Sequence, residues 1–226
     1  MKLHQLARFA SAVLISAAAM PMMASASTII GASSVSATNS FPDATFGNAN
    51  NLINQGGLAT NYVSGVTNFD SYIASDPQHT TQSPGAEWFT NFNITASTLI
   101  FDLGSVIQID RVAAWVDEFW GAGQISIALS IDGVGFSSVG DFTPTDWSPS
   151  VASYGADIFA FSATSTRYVQ LALSGCPQPL SVQGGGCGLG EVAFRSAPSS
   201  VPEPGSLALL AIAMGGAVWA RRRRNK

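Results

Sequence analysis

Several aromatic residues stand in segments rich in Gly, Asn, Ser and Thr: Tyr62, Phe69, Tyr72, Trp88, Trp120 and Trp147. An exposed ring stacks on the apolar face of a sugar while nearby polar groups bind its hydroxyls. Trp120, in Glu118-Phe119-Trp120-Gly121, and Trp147, in Pro144-Thr145-Asp146-Trp147, fall in turns between apolar runs. With Trp88 and Tyr62 they are the candidates for a carbohydrate platform. The competing reading is that such rings cap the ends of a core, since tryptophan is largely buried in most folds.

The other reactive side chains give catalysis little support. His79 is the only histidine beyond His4, and its surroundings, Asp76-Pro77-Gln78-His79-Thr80, read as an exposed loop. Asp117 and Glu118 are adjacent, and neighbours on a strand point to opposite faces. A glycosidase needs two carboxyl groups facing one bond across a defined gap. There is no Gly-x-Ser-x-Gly elbow, no His-Glu-x-x-His and no phosphate loop. The pattern points to a binding or structural protein, with a secreted hydrolase as the least supported alternative.

Cys176 and Cys187 are separated by ten residues that include Pro177, Pro179 and Gly184-Gly185-Gly186. Outside the cytoplasm such a pair forms a disulfide. Closing a loop of this size contributes about 2–3 kcal/mol. The spacing is not the Cys-x-x-Cys of redox or zinc sites, and no histidine is near.

The ends carry their own signals. Residues 1–26 place Lys2 and Arg8 before an apolar stretch and close on Ala24-Ser25-Ala26, a small-x-small cleavage site. They read as a signal peptide. Residues 27–197 then form the working domain. Residues 198–205 are a linker carrying Pro202-Glu203-Pro204, which no helix or central strand accommodates. Residues 206–226 contain a fourteen-residue apolar run, 207–220, followed by Arg221 to Arg224. That run is shorter than the roughly 20 residues of a membrane-spanning helix, and the arginines belong on the cytoplasmic side.

This order resembles the PEP-CTERM sorting signal. The resemblance implies recognition by an exosortase-type protease and cleavage near Pro202, Glu203 and Pro204. It also implies a transient membrane stage through 207–220 and delivery to the outer surface or matrix of a Gram-negative bacterium, where such systems accompany exopolysaccharide. An ordinary C-terminal membrane anchor is the alternative, and it too places the domain outside the cytoplasm.

With the ends set aside, the charge balance changes. The whole chain carries −4. Between Ser27 and Ser200 only Arg111, Arg167 and Arg195 face thirteen Asp and Glu, and there is no lysine. Such a surface repels phosphate backbones and excludes nucleic acid as a partner.

The elements that must position the candidate residues read as short strands. Residues 98–103 form an apolar run closed by Gly104, and 106–116 alternate in part. Residues 124–131 alternate polar and apolar with period two. Asp132-Gly133 is a hairpin signal, with 136–142 as the returning strand. Residues 158–161, 167–173 and 190–194 supply three more, while 33–93 reads as long loops around one or two strands. The expected fold is all-β, an antiparallel jelly-roll sandwich flanked by an N-terminal signal helix and a C-terminal apolar helix.

The middle resembles the discoidin or coagulation-factor type C domains, which are galactose-binding-like jelly rolls. The resemblance rests on Asp102-Leu103-Gly104, Ile107 to Val112, Ser130-Ile131-Asp132-Gly133 with Phe136, Arg167-Tyr168-Val169-Gln170-Leu171 and Gly190-Glu191-Val192-Ala193-Phe194. Ala49 to Asn54 resembles an early family segment, but Asn54-Gln55-Gly56 stands where the family has Asp-Gly. No cofactor is required by this reading. The resemblance does allow one structural calcium between the early loop and the last strand, held by Asn54, Glu191 and Asn51. The alternative is that Glu191 pairs with Arg111 or Arg167.

Overall fold

A computed structural model describes residues 27–80, 83–145, 153–178 and 184–198. The signal segment 1–26, Trp147 and everything from residue 199, including Pro202 to Pro204 and the run 207–220, lie outside the described residues. Among the described residues no helix is long and apolar enough to cross a membrane.

Among the described residues eight strands, two short α-helices and one 3-10 turn of helix (Ala49–Leu52, after α1) follow one another: β1 (Ile29–Ile30), β2 (Ser34–Ala37), α1 (Ala44–Gly47), α2 (Phe69–Ala74), β3 (Trp88–Phe89), β4 (Ala96–Val116), β5 (Gln124–Ser130), β6 (Ser137–Phe142), β7 (Asp157–Ser174) and β8 (Gly188–Ser196). All named pairings are antiparallel.

The sequence suggests separate strands at 98–103 and 106–116, and at 158–161 and 167–173. The structure joins each pair into one long strand. β4 and β7 run side by side and bend together, with a register shift between Asp102 and Ile107. Gly104 makes the bend possible. Its φ is 82°, open to glycine at little cost, and its N–H donates to Asp102 Oδ1 at 2.8 Å. Each strand therefore contributes one half to each face of a sandwich. β2, β5 and β6 extend one face; β8, β1 and β3 extend the other. The faces close on each other, as Phe101 meets Phe194 with ring centroids 5.6 Å apart.

Burial follows from this arrangement. In the first half of β4, Leu99, Phe101 and Leu103 are buried and alternate with partly exposed neighbours, so one side meets the core. In the second half every residue from Val112 to Val116 is buried. Val112, Ala114 and Val116 face the core between the sheets, while Ala113 and Trp115 face a second cluster with Ile29, Tyr62, Phe69, Tyr72 and Tyr154. The irregular segment before β3 supplies that cover. Each fully buried large apolar side chain contributes about 1.5–3 kcal/mol. Among the described residues both clusters draw on residues 29–194.

The Asp132-Gly133 hairpin is looser than a two-residue turn. Residues 131–136 separate β5 from β6, and Asp132 Oδ1 accepts from the N–H groups of Val134 and Gly135 at 2.9 and 3.1 Å. Arg167 pairs with Asp102, with Nε 2.9 Å from Oδ1 and Nη2 2.9 Å from Oδ2.

The ends of the sandwich differ. Along β4 and β8, Ile109 pairs with Ser196 and Val116 with Leu189. Seven residues of strand put these points about 23 Å apart. The chain enters and leaves beside Ile109, where Ser196 N–H donates to Thr28 O at 2.9 Å. Trp120 lies beyond Val116, at the opposite end.

Candidate functional site

The turn after β4 is built around one carboxylate. Asp117 Oδ1 accepts from the N–H groups of Phe119 and Trp120 at 2.9 and 2.6 Å. Trp120 O then accepts from Gly188 N–H at 2.6 Å, and Gly121 exchanges backbone bonds with Gln178 at 3.1 and 2.8 Å. Gly121 has no room for a side chain, since a Cβ there would lie 2.6 Å from Asp117 O. The Trp120 backbone is thus fixed on both sides while the residue stays partly exposed.

Around it the loops assemble further rings. Phe89 on β3 meets Trp120 edge to face with centroids 5.4 Å apart, and Phe92 meets it at 5.4 Å. Phe41 contacts Phe92 at 5.3 Å, and Phe46 on α1 contacts Phe89 at 5.8 Å. Such edge-on pairs are favoured by the ring quadrupoles. The five rings line an open groove of about 240 Å³. Among the described residues no charged side chain lines it.

The Cys176–Cys187 disulfide forms, as expected. It ties the end of β7 to the start of β8 and carries the glycine-rich loop to the groove wall. Cys187 N–H donates to Thr90 Oγ1 at 2.8 Å. A Cβ on Gly185 would lie 2.9 Å from Trp120 Nε1, so this glycine lies close against the indole.

The other expected platform residues are placed differently. Trp88 is fully buried and donates from Nε1 to Ser40 Oγ at 2.9 Å. Tyr62 is buried in the second cluster, and its hydroxyl donates to Glu191 Oε1 at 2.8 Å. Neither offers a ring face to a ligand, because each lies under a loop that the sequence does not resolve into layers. Phe41, Phe46, Phe89 and Phe92 were missed by sequence reasoning. A usable signal was present: Phe89-Thr90-Asn91-Phe92-Asn93 alternates rings with polar loop residues.

Behind the groove lies a buried acidic layer. His79, read from sequence as exposed, is fully buried; Nδ1 is 2.8 Å from Thr80 O and Nε2 2.8 Å from Gly56 O. Desolvation lowers its pKa. Glu87 accepts from the Tyr154 hydroxyl at 2.6 Å and from Ser83 N–H at 2.8 Å. Burial, reinforced by the charge of Asp117, pushes Glu87 up to about 8. Burial raises Asp117 as well. Asp117 and Glu118 are both buried rather than divided between two faces, because they start the turn instead of extending the strand.

Asn51, Asn54 and Glu191 do converge between the early loop and β8, but their oxygens are engaged. Glu191 accepts from Gln55 N–H and from Tyr62, both at 2.8 Å. Asn54 Oδ1 accepts from Gly56 N–H at 2.6 Å, and Asn51 Oδ1 accepts from Asn54 Nδ2 at 3.5 Å. Burial pushes Glu191 up to about 8, while the hydrogen bonds from Tyr62 and Gln55 oppose that rise. Calcium takes six to eight oxygens, with carboxylates prominent. This set does not fit the ion. Among the described residues no group of three or more His, Cys, Asp or Glu is arranged to hold a metal. Nor does Glu191 pair with an arginine: Arg111 meets Asp70 at 3.3 Å and Arg167 meets Asp102.

Comparison with known proteins adds to this geometry. The PEP-CTERM protein-sorting motif matches residues 200–224. No curated protein matches the chain. Among solved structures, a selenomethionine-labelled point mutant of chitosan-binding module 1, from a chitosanase/glucanase of Paenibacillus sp. IK-5, is 16% identical with a TM-score of 0.50. The match covers 75% of this chain and 98% of that one. Chitosan-binding module 2 of the same enzyme, in complex with chitotriose, is 16% identical with a TM-score of 0.48, covering 73% and 97%. A CBM32 module from Clostridium perfringens, in complex with GalNAc-beta-1,3-galactose, is 17% identical with a TM-score of 0.45, covering 73% and 94%. The domain shares the fold of chitosan-binding module 1, and the chain carries a PEP-CTERM sorting motif.

Proposed function

We propose that this is an exported, surface-sorted and non-catalytic protein that binds extracellular carbohydrate in the groove around Trp120. One observation carries the reading: five aromatic rings, from α1, β3 and the loops around them, converge on an open groove at the end of the sandwich remote from Thr28 and Ser196. Rings left open to solvent cost solvation and are maintained where a ligand covers them. Pyranose faces match them, because the axial C–H groups are apolar.

Charge narrows the ligand. Three arginines against thirteen acids leave the domain strongly negative. Polymers of uronic acids are repelled, and neutral or amino-sugar polymers are favoured. The sorting motif supports secretion, handling by an exosortase-type protease and residence in the cell envelope or matrix. The signal peptide at residues 1–26 completes that route.

A glycan array with residues 27–197 tests the reading. Binding to a neutral or amino-sugar polymer is expected, with Trp120→Ala and Phe92→Ala each weakening it about tenfold. Melting of both variants should stay close to the parent. Unchanged affinity in both would remove the groove as the site. No binding by the parent would favour a structural matrix role. Because the oxygens of Asn51, Asn54 and Glu191 are engaged within the protein, added calcium or chelator should leave binding and melting unchanged.

A further inference from the structure

The Phe89–Trp120 ring pair of the groove stands on two buried acids. Asp117 follows β4, and its Oδ1 fixes the N–H groups of Phe119 and Trp120. Glu87 immediately precedes β3, two residues before Phe89. β8 joins the two sides: Asp117 N–H donates to Gly188 O at 3.2 Å, and Gly188 pairs with Phe89. A Cβ on Gly188 would lie 2.5 Å from the Phe89 ring and 3.1 Å from Asp117 Cβ, so ring and acid close on the same glycine. Each acid thus governs one member of a pair whose centroids are 5.4 Å apart.

The two carboxyls face each other. Glu87 is fully buried and Asp117 is 2% exposed. Asp117 Oδ2 is buried and accepts from no other group of the described residues. Glu87 takes the Tyr154 hydroxyl at Oε1 and Ser83 N–H at Oε2. Like charges this close and out of water do not both persist, so one proton stays with the pair.

The groups packed around the pair leave that proton in place. His79 Nδ1 lies 3.9 Å from Glu87 Oε1, but desolvation disfavours the histidine cation. Tyr154 is held neutral by burial, and Glu118, also buried, adds to the acidic side. β8 contributes Gly188 against Asp117 and Gly190 against the His79 ring, neither of them charged. Glu191, further along β8, is engaged with Gln55 and Tyr62. The three arginines are committed to Asp70, Asp102 and Asp110.

We propose that Glu87 is a positioning residue of the groove: as a neutral acid it shares a proton with Asp117 and holds the Trp120 turn against β3, and loss of that proton to water parts the Phe89–Trp120 pair. At low pH the proton is present and the turn is clamped. As pH rises, a second negative charge enters a dry interior and the acids move apart. Asp117 carries Trp120 with it, and Glu87 carries Phe89. Burial and the Asp117 charge hold Glu87 up to about 8, which sets the change between neutral and mildly alkaline pH. The consequence for affinity rests on the carbohydrate reading; the change in the groove itself does not.

The test uses the full chain in mild detergent, labelled with 5-fluorotryptophan. Five tryptophans give five fluorine signals, and Trp120→Phe identifies that of Trp120. Between pH 6 and 9 the Trp120 signal is expected to move with one midpoint above neutral. Glu87→Gln puts a permanent amide in place of the acid, so its Trp120 signal should keep the low-pH position throughout. Asp117→Asn keeps the acceptor for Phe119 and Trp120 and removes the opposing charge; its midpoint should fall by roughly one to three pH units. Glu191→Gln should respond like the parent. A parent signal that does not move would overturn the proposal, as would a Glu87→Gln signal that still moves or a midpoint that Asp117→Asn leaves in place. Loss of the response in Glu191→Gln would overturn it too, in favour of a change in the whole fold. Affinity for triacetylchitotriose, which does not titrate in this range, should drop about tenfold from pH 6 to 9 in the parent and stay constant in Glu87→Gln. Equal binding by the parent at both pH values counts against the proposal. A sugar that binds at no pH counts against the carbohydrate reading alone, because the fluorine signal reports the groove without a ligand.

Discussion

Glu191 and Glu87 show how much a single buried carboxyl can decide. Both sit in tyrosine-lined interiors where burial favours the neutral form and moves them up to about 8. In the unfolded chain they ionise near 4.5. Between those limits the unfolded chain has shed protons that the folded chain keeps, so rising pH favours unfolding. Each raised group therefore supports the fold fully below about pH 4.5, and that support is lost as pH climbs toward 8. Asp70 and Asp102 act oppositely at the acid end, because arginine and hydroxyl partners hold them low. Melting temperature is expected to peak near pH 5 and fall toward pH 8. Glu191→Gln should flatten that fall, by an amount on the order of a few kcal/mol across the window. A melting series from pH 4 to 9 checks this, and identical slopes for parent and variant would assign the effect elsewhere. At this scale the sequence was least legible. Trp88, Tyr62 and Trp120 stand in similar polar company, yet two are buried and one lines the groove. What separates them is which loop lies over them, and that depends on contacts as remote as Tyr62 with Glu191.

The elements were far more readable. Period-two alternation identified β5, and Asp102-Leu103-Gly104 marked the bend in β4. Two features stayed hidden. Alternation weakens where a strand is covered on both sides, as in the second half of β4 and in β8, and the covering layer comes from an irregular segment. β1 and β3 are two residues each, too short for any period. At this scale the disulfide and its loop make the sharpest predictions. Cys176→Ala/Cys187→Ala should cost about 2–3 kcal/mol of stability, read by chemical denaturation. It should also weaken carbohydrate binding, since Gly185 no longer lies fixed beside Trp120. Gly185→Ala separates the two effects. A methyl group 2.9 Å from the indole nitrogen displaces the ring without opening the loop. Affinity should fall with little change in melting; a variant that binds like the parent would show that the indole position does not matter.

At the scale of the whole molecule, the C-terminal sorting motif was the most legible part, because such signals are linear and need no fold. Seven of the ten basic residues fall outside 27–200, and once they are set aside the acidic domain stands out. The sequence could not say that the remaining three arginines would gather at one end, since Arg111 and Arg195 meet only through the pairing of β4 with β8. Mass spectrometry of the native surface form tests the route. The expected mass lacks residues 1–26 and the segment beyond Pro202 to Pro204. A mature form that retains Arg221 to Lys226 would contradict sorting by cleavage.

The backbone bond between Thr28 and Ser196 has a practical meaning. Entry and exit of the domain lie side by side, on the face opposite the aromatic groove. A module of that geometry can be spliced into a surface loop of an unrelated host, or strung in tandem, with every groove left facing outward. In engineering terms it is a plug with its wiring at the back, suited to presenting its groove outward from a particle or an enzyme.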